Sequence, residues 1–239
     1  MTLYRKGTFM KKIGFIGATD KTDLIVYVAK VLEDLGKKVL VVDTTITQKT
    51  KYVVPSISPT KTYITDFNNV DYAIGFQNIE DIARYLGLKE NEKIENLNYD
   101  YMLIDIDNEQ KIDNFEIDEV GKNFFVTTFD IYSLKRGIEI LKNIPLNMNL
   151  SKILMNYSIK KDDEDYLNYL SLDTRVVWTD FSIYIPLLDE NEQLIEDNQR
   201  IYRARLKRLI PEYQEGIIYI VQNIVEDLSV GKIRKMIKE

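Results

Sequence analysis

The chain has 239 residues, 45% hydrophobic and 29% charged, with ten Gly, five Pro and a formal charge of -6. Such a composition belongs to one folded domain rather than a disordered or repetitive chain, and the negative charge argues against the whole molecule as a sequence-independent nucleic-acid binder. The sequence contains neither Cys nor His. This removes disulfides, thiolate zinc sites, imidazole bases and Ser–His–Asp triads, so any chemistry rests on carboxylates, Lys, hydroxyls and backbone amides.

Residues 1–9 precede Met10-Lys11-Lys12-Ile13, which reads as a start leading into a strand, so 1–9 are expected to be an extension. No apolar run approaches the roughly 20 residues that span a bilayer, and the first residues lack the apolar core of a signal peptide, so a cytoplasmic protein is expected. Residues 12–16 predict a strand, 17–22 a polar loop, and 24–35 a helix. Leu24, Val28, Val31, Leu32 and Leu35 recur at helical spacing, and Gly36 stands where a C-terminal cap belongs. The run 38–43 reads as a strand buried on both faces, which makes a βαβ unit with parallel pairing. Further strands are predicted at 72–76, 101–106, 123–128 and 152–157, helices at 79–86, 131–144 and 163–170, and an extended stretch at 182–187. Helices at 198–209 and 212–228 follow. The alternation predicts a three-layer α/β fold, a mostly parallel twisted sheet flanked by helices, over 10–230 with a basic tail at 231–239.

A phosphate loop needs backbone amides close to anionic oxygens between a strand and a helix, and its usual form is GxxxxGK[ST]. That place holds Gly17-Ala18-Thr19-Asp20-Lys21-Thr22, which keeps one Gly and the Lys-Thr pair. By itself such a pair is more often a solvated helix start. Further along, Asp43 ends a strand and Tyr99-Asp100-Tyr101-Met102-Leu103-Ile104-Asp105 ends in a second Asp. Phe124 to Thr128 is followed by Leu134 and Arg136, the strand after it ends at Asn156, and Ile183-Tyr184-Ile185-Pro186-Leu187 comes last. With these features in this order, the chain resembles the ParA/MinD family of P-loop ATPases over residues 10–230, by order and spacing more than by identity, and has the P-loop NTPase-like architecture. The resemblance implies ATP or ADP with Mg as ligand. It places Gly17, Asp20, Lys21 and Thr22 at the phosphates, Asp43 and Asp105 at the metal, and Asn156 at the adenine. It also implies a homodimer with a protein partner.

Departures from the family pattern fall on the loop. Ile16 stands where the family has a Lys that reaches across the dimer, Ala18 and Asp20 replace glycines, and Thr45 replaces a water-orienting Asp. Phosphoryl transfer is mostly positioning and charge stabilisation, so these losses imply absent or very slow hydrolysis. Lys21 is left to hold an anion at the helix start or to pair with Asp20, Asp43 or Asp105 as a structural ion pair. The function expected is a non-catalytic localisation or assembly scaffold, similar to the pilus-assembly localisation proteins CpaE and TadZ. The alternatives are a slow nucleotide-switched ATPase in DNA partition or spatial positioning, and a DNA or membrane adaptor. An adaptor would use Arg200, Arg203 and Lys207 on one face of the 198–209 helix, or the 231–239 tail, and would make the protein membrane-associated. The acids at 162–165 and 189–192 read as loop acids without metal-site spacing.

Overall fold

The computed structural model describes residues 10–56, 60–89, 92, 97–117, 121–144, 147–158, 160–225 and 228–238. The 1–9 extension lies outside them. In chain order the first half forms β1 (Lys11–Ile16), α1 (Thr22–Asp34), β2 (Val39–Asp43), α2 (Thr50–Val53), β3 (Tyr63–Phe67), β4 (Val70–Ile74), α3 (Ile79–Tyr85), β5 (Tyr101–Ile106) and α4 (Gln110–Asn114). The second half forms β6 (Asn123–Thr128), α5 (Ile131–Lys142), β7 (Met148–Asn156), α6 (Lys161–Leu170), β8 (Val176–Pro186), α7 (Asp189–Arg200), a 3-10 turn (Leu206–Arg208), α8 (Pro211–Ile224) and α9 (Val230–Lys238). Among the described residues no helix is long and apolar enough to cross a membrane.

The strands form one eight-stranded sheet in the order β3-β4-β2-β5-β1-β6-β7-β8. All pairings are parallel except β3 with β4. Alternation along the central strands explains their unbroken apolar runs, because each face is covered. Ile13, Phe15, Val39, Val41 and Leu103 meet α1 and α8 on one side. Ile16, Leu40, Val42, Met102 and Ile104 meet α3, α5 and α6 on the other. This is the three-layer α/β arrangement that the pattern of elements predicts.

Several boundaries follow chemistry that periodicity does not carry. The β3–β4 hairpin was not anticipated; its turn residues Asn68 and Asn69 both have positive φ, 53° and 62°, the backbone that two-residue hairpin turns favour and that Asn tolerates. The 198–209 helix is corrected: α7 begins at the acids of 189–192, which lie favourably at its positive end, and stops at Arg200. Tyr202 turns to φ 51°, its N–H reaches Gln199 O at 3.0 Å, and the Arg203 N–H reaches Asn198 O at 2.9 Å. These two bonds close the helix, with a Tyr where Gly is usual. Arg200, Arg203 and Lys207 therefore do not share a helical face, and Arg200 pairs with Glu196 and Asp197 within its own last turns. The tail is corrected as well. It forms α9, whose Ile233 is fully buried against the core and whose Arg234 bridges Glu215, so the apolar side that would enter a membrane is already occupied.

The acids at 162–165 also belong to a helix, α6. Glu164 on it accepts from Lys152 Nζ at 2.8 Å, from Ser182 Oγ and from Tyr184 Oη at 2.7 Å, tying α6 to β7 and β8. Partial burial works against its charge, but the three donors outweigh that and hold its pKa down to about 2. A depressed pKa contributes stability above the unfolded value that is lost as pH falls through the folded one. Glu164→Gln should cost about 1–3 kcal/mol near neutral pH. Denaturation measured across pH should show that difference shrinking from the ordinary 4.5 down toward about 2, and a difference that ignores pH would rule out an ionised hub.

Candidate functional site

Site residues gather at the carboxyl end of β1, β2 and β5, where the parallel strands leave a crevice before α1. Gly17 leaves β1 with its N–H on Ile106 O at 2.9 Å. A Cβ there would lie 2.0 Å from Val126 O, so Gly17 is required by the close passage of the loop beside β6, whatever the loop binds. Lys21 then turns back beneath the loop. Only 2% exposed, it donates to Gly17 O at 2.9 Å and lies 2.6 Å from Asp105 Oδ1. Asp105 has this ionic contact without an aligned hydrogen bond to Oδ1. Burial raises its pKa and the Lys21 charge opposes that, with a net rise to about 7.

Asp20 takes the place an anionic ligand would hold. Its Oδ1 accepts the Thr22 N–H at 3.0 Å, and its Oδ2 pairs with Lys49 Nζ at 2.5 Å. A carboxylate of the chain itself thus sits at the positive end of α1. Burial resists its ionisation, yet Lys49 and the Thr22 amide prevail and lower its pKa. Asp23, in the first turn of α1, accepts from Gln199 Nε2 at 2.7 Å and is 3.4 Å from Lys49. Its pKa is raised, chiefly by burial.

Asp43 and Asp105 stand side by side in the β2–β5 register. Asp43 is fully buried and its donors are all local: Thr45 N at 3.0 Å and Thr45 Oγ1 at 2.6 Å on Oδ1, and Thr50 N at 3.0 Å on Oδ2. Thr45, which replaces a family carboxylate, therefore serves as a donor to Asp43. Among the described residues no group of three or more acidic side chains is placed to hold a metal. With Lys21 turned inward and Asp20 on the helix terminus, this arrangement leaves neither the Lys21 ammonium nor the Thr22 amide open to a magnesium nucleotide.

Beside the loop lies a cleft of about 380 Å³ whose charged lining is Asp20, Asp23, Glu192 and Glu196 against Lys21 and Lys49. Both lysines are already paired, so a polyphosphate would meet a net negative wall. The structure brings Gly17, Asp20, Lys21, Thr22, Asp43 and Asp105 together, while Asn156 ends β7 next to Met155 and opposite Pro186, both of which line this cleft. Asn156 Oδ1 accepts from Tyr157 N at 2.8 Å, and the side chain lines a separate groove with Tyr184 and Glu212. Lys49, Thr50 and Gln199 were missed. They lie outside any motif, and their contacts with Asp20, Asp43 and Asp23 arise only from tertiary folding.

No protein-family model matches the sequence, and no curated protein matches it. Solved structures do. The ParA family ATPase of Chlorobium tepidum TLS is 13% identical with a TM-score of 0.60, over 90% of this chain and 98% of that one. An ATP complex of McdA from Cyanothece is 13% identical with a TM-score of 0.60, over 93% of this chain and all 100% of that one. MinD of Aquifex aeolicus is 15% identical with a TM-score of 0.57, over 96% and 97%. At such identities the likeness is one of fold: the chain has the ParA/MinD P-loop fold.

Removing one member of a buried ion pair strands the other, at a cost of about 3–5 kcal/mol, whereas replacing both with apolar groups is often neutral. Lys21→Ala should destabilise by that amount at high pH and by less near pH 5, where Asp105 can hold a proton. Lys21→Met with Asp105→Leu should recover most of the loss in urea denaturation; a fully additive double variant would contradict the pairing. A raised carboxylate pKa gives stability that is full below the unfolded value and lost as pH rises through the folded one. Between the ordinary 3.8 and about 7 the parent should therefore lose stability relative to Asp105→Asn.

Proposed function

We propose that this chain is a non-hydrolysing member of the ParA/MinD fold that acts as a localisation or assembly scaffold, dimerising and recruiting a protein partner, in the manner of CpaE and TadZ. One observation carries the reading: the Lys21 ammonium lies in an ion pair with Asp105 while Asp20 holds the start of α1. A catalytic phosphate loop must keep that Lys and those amides available for charge that develops on the transferring group. Here the chain's own carboxylates engage both. Three internal contacts would have to break before a nucleotide could be held, namely Lys21–Asp105, Asp20–Thr22 and Asp20–Lys49.

A second reading, a slow nucleotide switch in spatial positioning, is favoured by the neighbours in the fold. They include the ATP complex of McdA and a putative plasmid partition protein of Borrelia burgdorferi bound to AMPPNP, 13% identical with a TM-score of 0.53. On this reading Asp20 and Lys21 rearrange, and magnesium nucleotide supplies the energy.

Calorimetric titration with ATP and magnesium separates the two. The scaffold reading expects no heat from the parent or from Lys21→Ala, and no phosphate release from either. Asp20→Gly should then raise affinity for nucleotide from undetectable to measurable, because it frees the Thr22 amide and removes a negative charge. Saturable binding by the parent that disappears in Lys21→Ala, or steady ATP turnover, would overturn the scaffold in favour of the switch.

A further inference from the structure

Among the described residues β8 is the last strand of the sheet, with β7 on one side and no strand on the other. In a parallel pair alternate residues direct N–H and C=O away from the neighbour, so a terminal strand presents open backbone groups to any further strand. Natural edges are usually short, charged or covered. β8 runs for 11 residues and exposes Phe181 by 41% and Tyr184 by 47%, beside Tyr219 of α8 at 46%. A register irregularity between Leu150 and Lys152 of β7 interrupts the ladder and leaves 182–186 as a regular run.

A groove of about 710 Å³ follows this run between β8 and α8, with Phe181, Ile183 and Tyr219 among its walls. It can form because α8 lies close on the strand at Gly216, where a Cβ would stand 2.1 Å from Ile185 Cδ1. A second groove continues past Tyr184 and Glu212 toward Lys160. Lys122 and Asp180 lie toward Phe181, and Lys160 and Glu212 toward Pro186, with Glu212 lining both grooves; all four are exposed and without an ion-pair partner among the described residues.

We propose that this edge is a self-association interface at which a second copy adds its own β8 antiparallel across a two-fold axis. The sheet then continues through the dimer, and the two α8 helices lie side by side on one face. A two-fold axis places one end of each strand against the opposite end of the other. Lys122 and Asp180 of each copy then face Glu212 and Lys160 of the other, with opposite charges meeting at both ends. Phe181 and Tyr219 lose their exposure over the neighbouring groove. The charge match singles out a second copy over an unrelated strand. The inference rests on the scaffold reading for its purpose, since it supplies the dimer contact, while its geometry is independent of the phosphate loop.

Light scattering on the full chain without nucleotide should show a concentration-dependent dimer. Phe181→Arg with Tyr219→Arg, both exposed positions, should weaken it about a hundredfold with an unchanged circular dichroism spectrum. Lys122→Glu and Glu212→Lys should each weaken it about tenfold, and the two together should restore it. A strict monomer at every concentration would overturn the proposal. So would a charge swap that fails to restore association, or a dimer insensitive to the Phe181 change but dissolved by Tyr132→Arg at the carboxyl end of the sheet. None of these results bears on nucleotide binding, so ATP turnover with an intact edge dimer would remove the scaffold reading and leave the interface standing.

Discussion

The buried contact between Lys21 and Asp105 is the constraint around which the site is organised. An ammonium with 2% exposure is sustained only by partners that replace its water, and three groups supply them: the Gly17 and Thr19 carbonyls and the Asp105 carboxylate. Those partners come from the loop after β1 and from the end of β5, so satisfying one charge fixes the path between strand and helix. Gly17 then has to pass close to Val126, and Asp105 has to lie beside Asp43, which Thr45 and Thr50 hold from the other side. The effective cost of desolvating an ion is several kcal/mol, whereas an anion at a helix start contributes about 0.3–1 kcal/mol and at most about 2. The ion pair therefore sets the loop, and the helix terminus takes whatever anion the loop then presents.

That anion is Asp20. A glycine at this position would leave the first amides of α1 open to an external oxyanion. The carboxylate accepts the Thr22 N–H, and its charge is balanced by Lys49. The cleft beyond is faced by Glu192 and Glu196 of α7, so its wall is acidic beside the paired lysines. The loop between β1 and α1 is thus occupied by the chain's own charges.

Much of this was legible in the sequence. β5 and β6 were placed to the residue because both are apolar runs with sharp polar ends, and α1 was placed because Gly36 closes it at φ 73°. The ion pair between Lys21 and a strand-end Asp could be anticipated as one of three choices, since both groups are quoted by the motif, but the choice among them needed the fold. Lys49 was invisible, because its contact with Asp20 spans 29 residues and has no local pattern. The end of α7 was misread because Tyr202 occupies the left-handed position where Gly is the usual signal. Asn156 ends its strand as expected, yet its side chain turns to the amide of Tyr157, and a strand terminus alone does not specify that direction.

The self-occupied loop also bears on where association energy can come from. In a nucleotide switch the ligand supplies it, and the contact surfaces can be polar and weak until the ligand arrives. A chain whose loop is closed by its own side chains has no such supply, so on the scaffold reading any self-contact must be written permanently into the surface. Exposed aromatic side chains on a terminal strand are a liability in a monomer. They are tolerable where a second strand covers them at all times. On the proposed reading the exposed edge of β8 and the self-occupied loop belong together, because an edge covered by a second copy gives association that does not wait for a ligand.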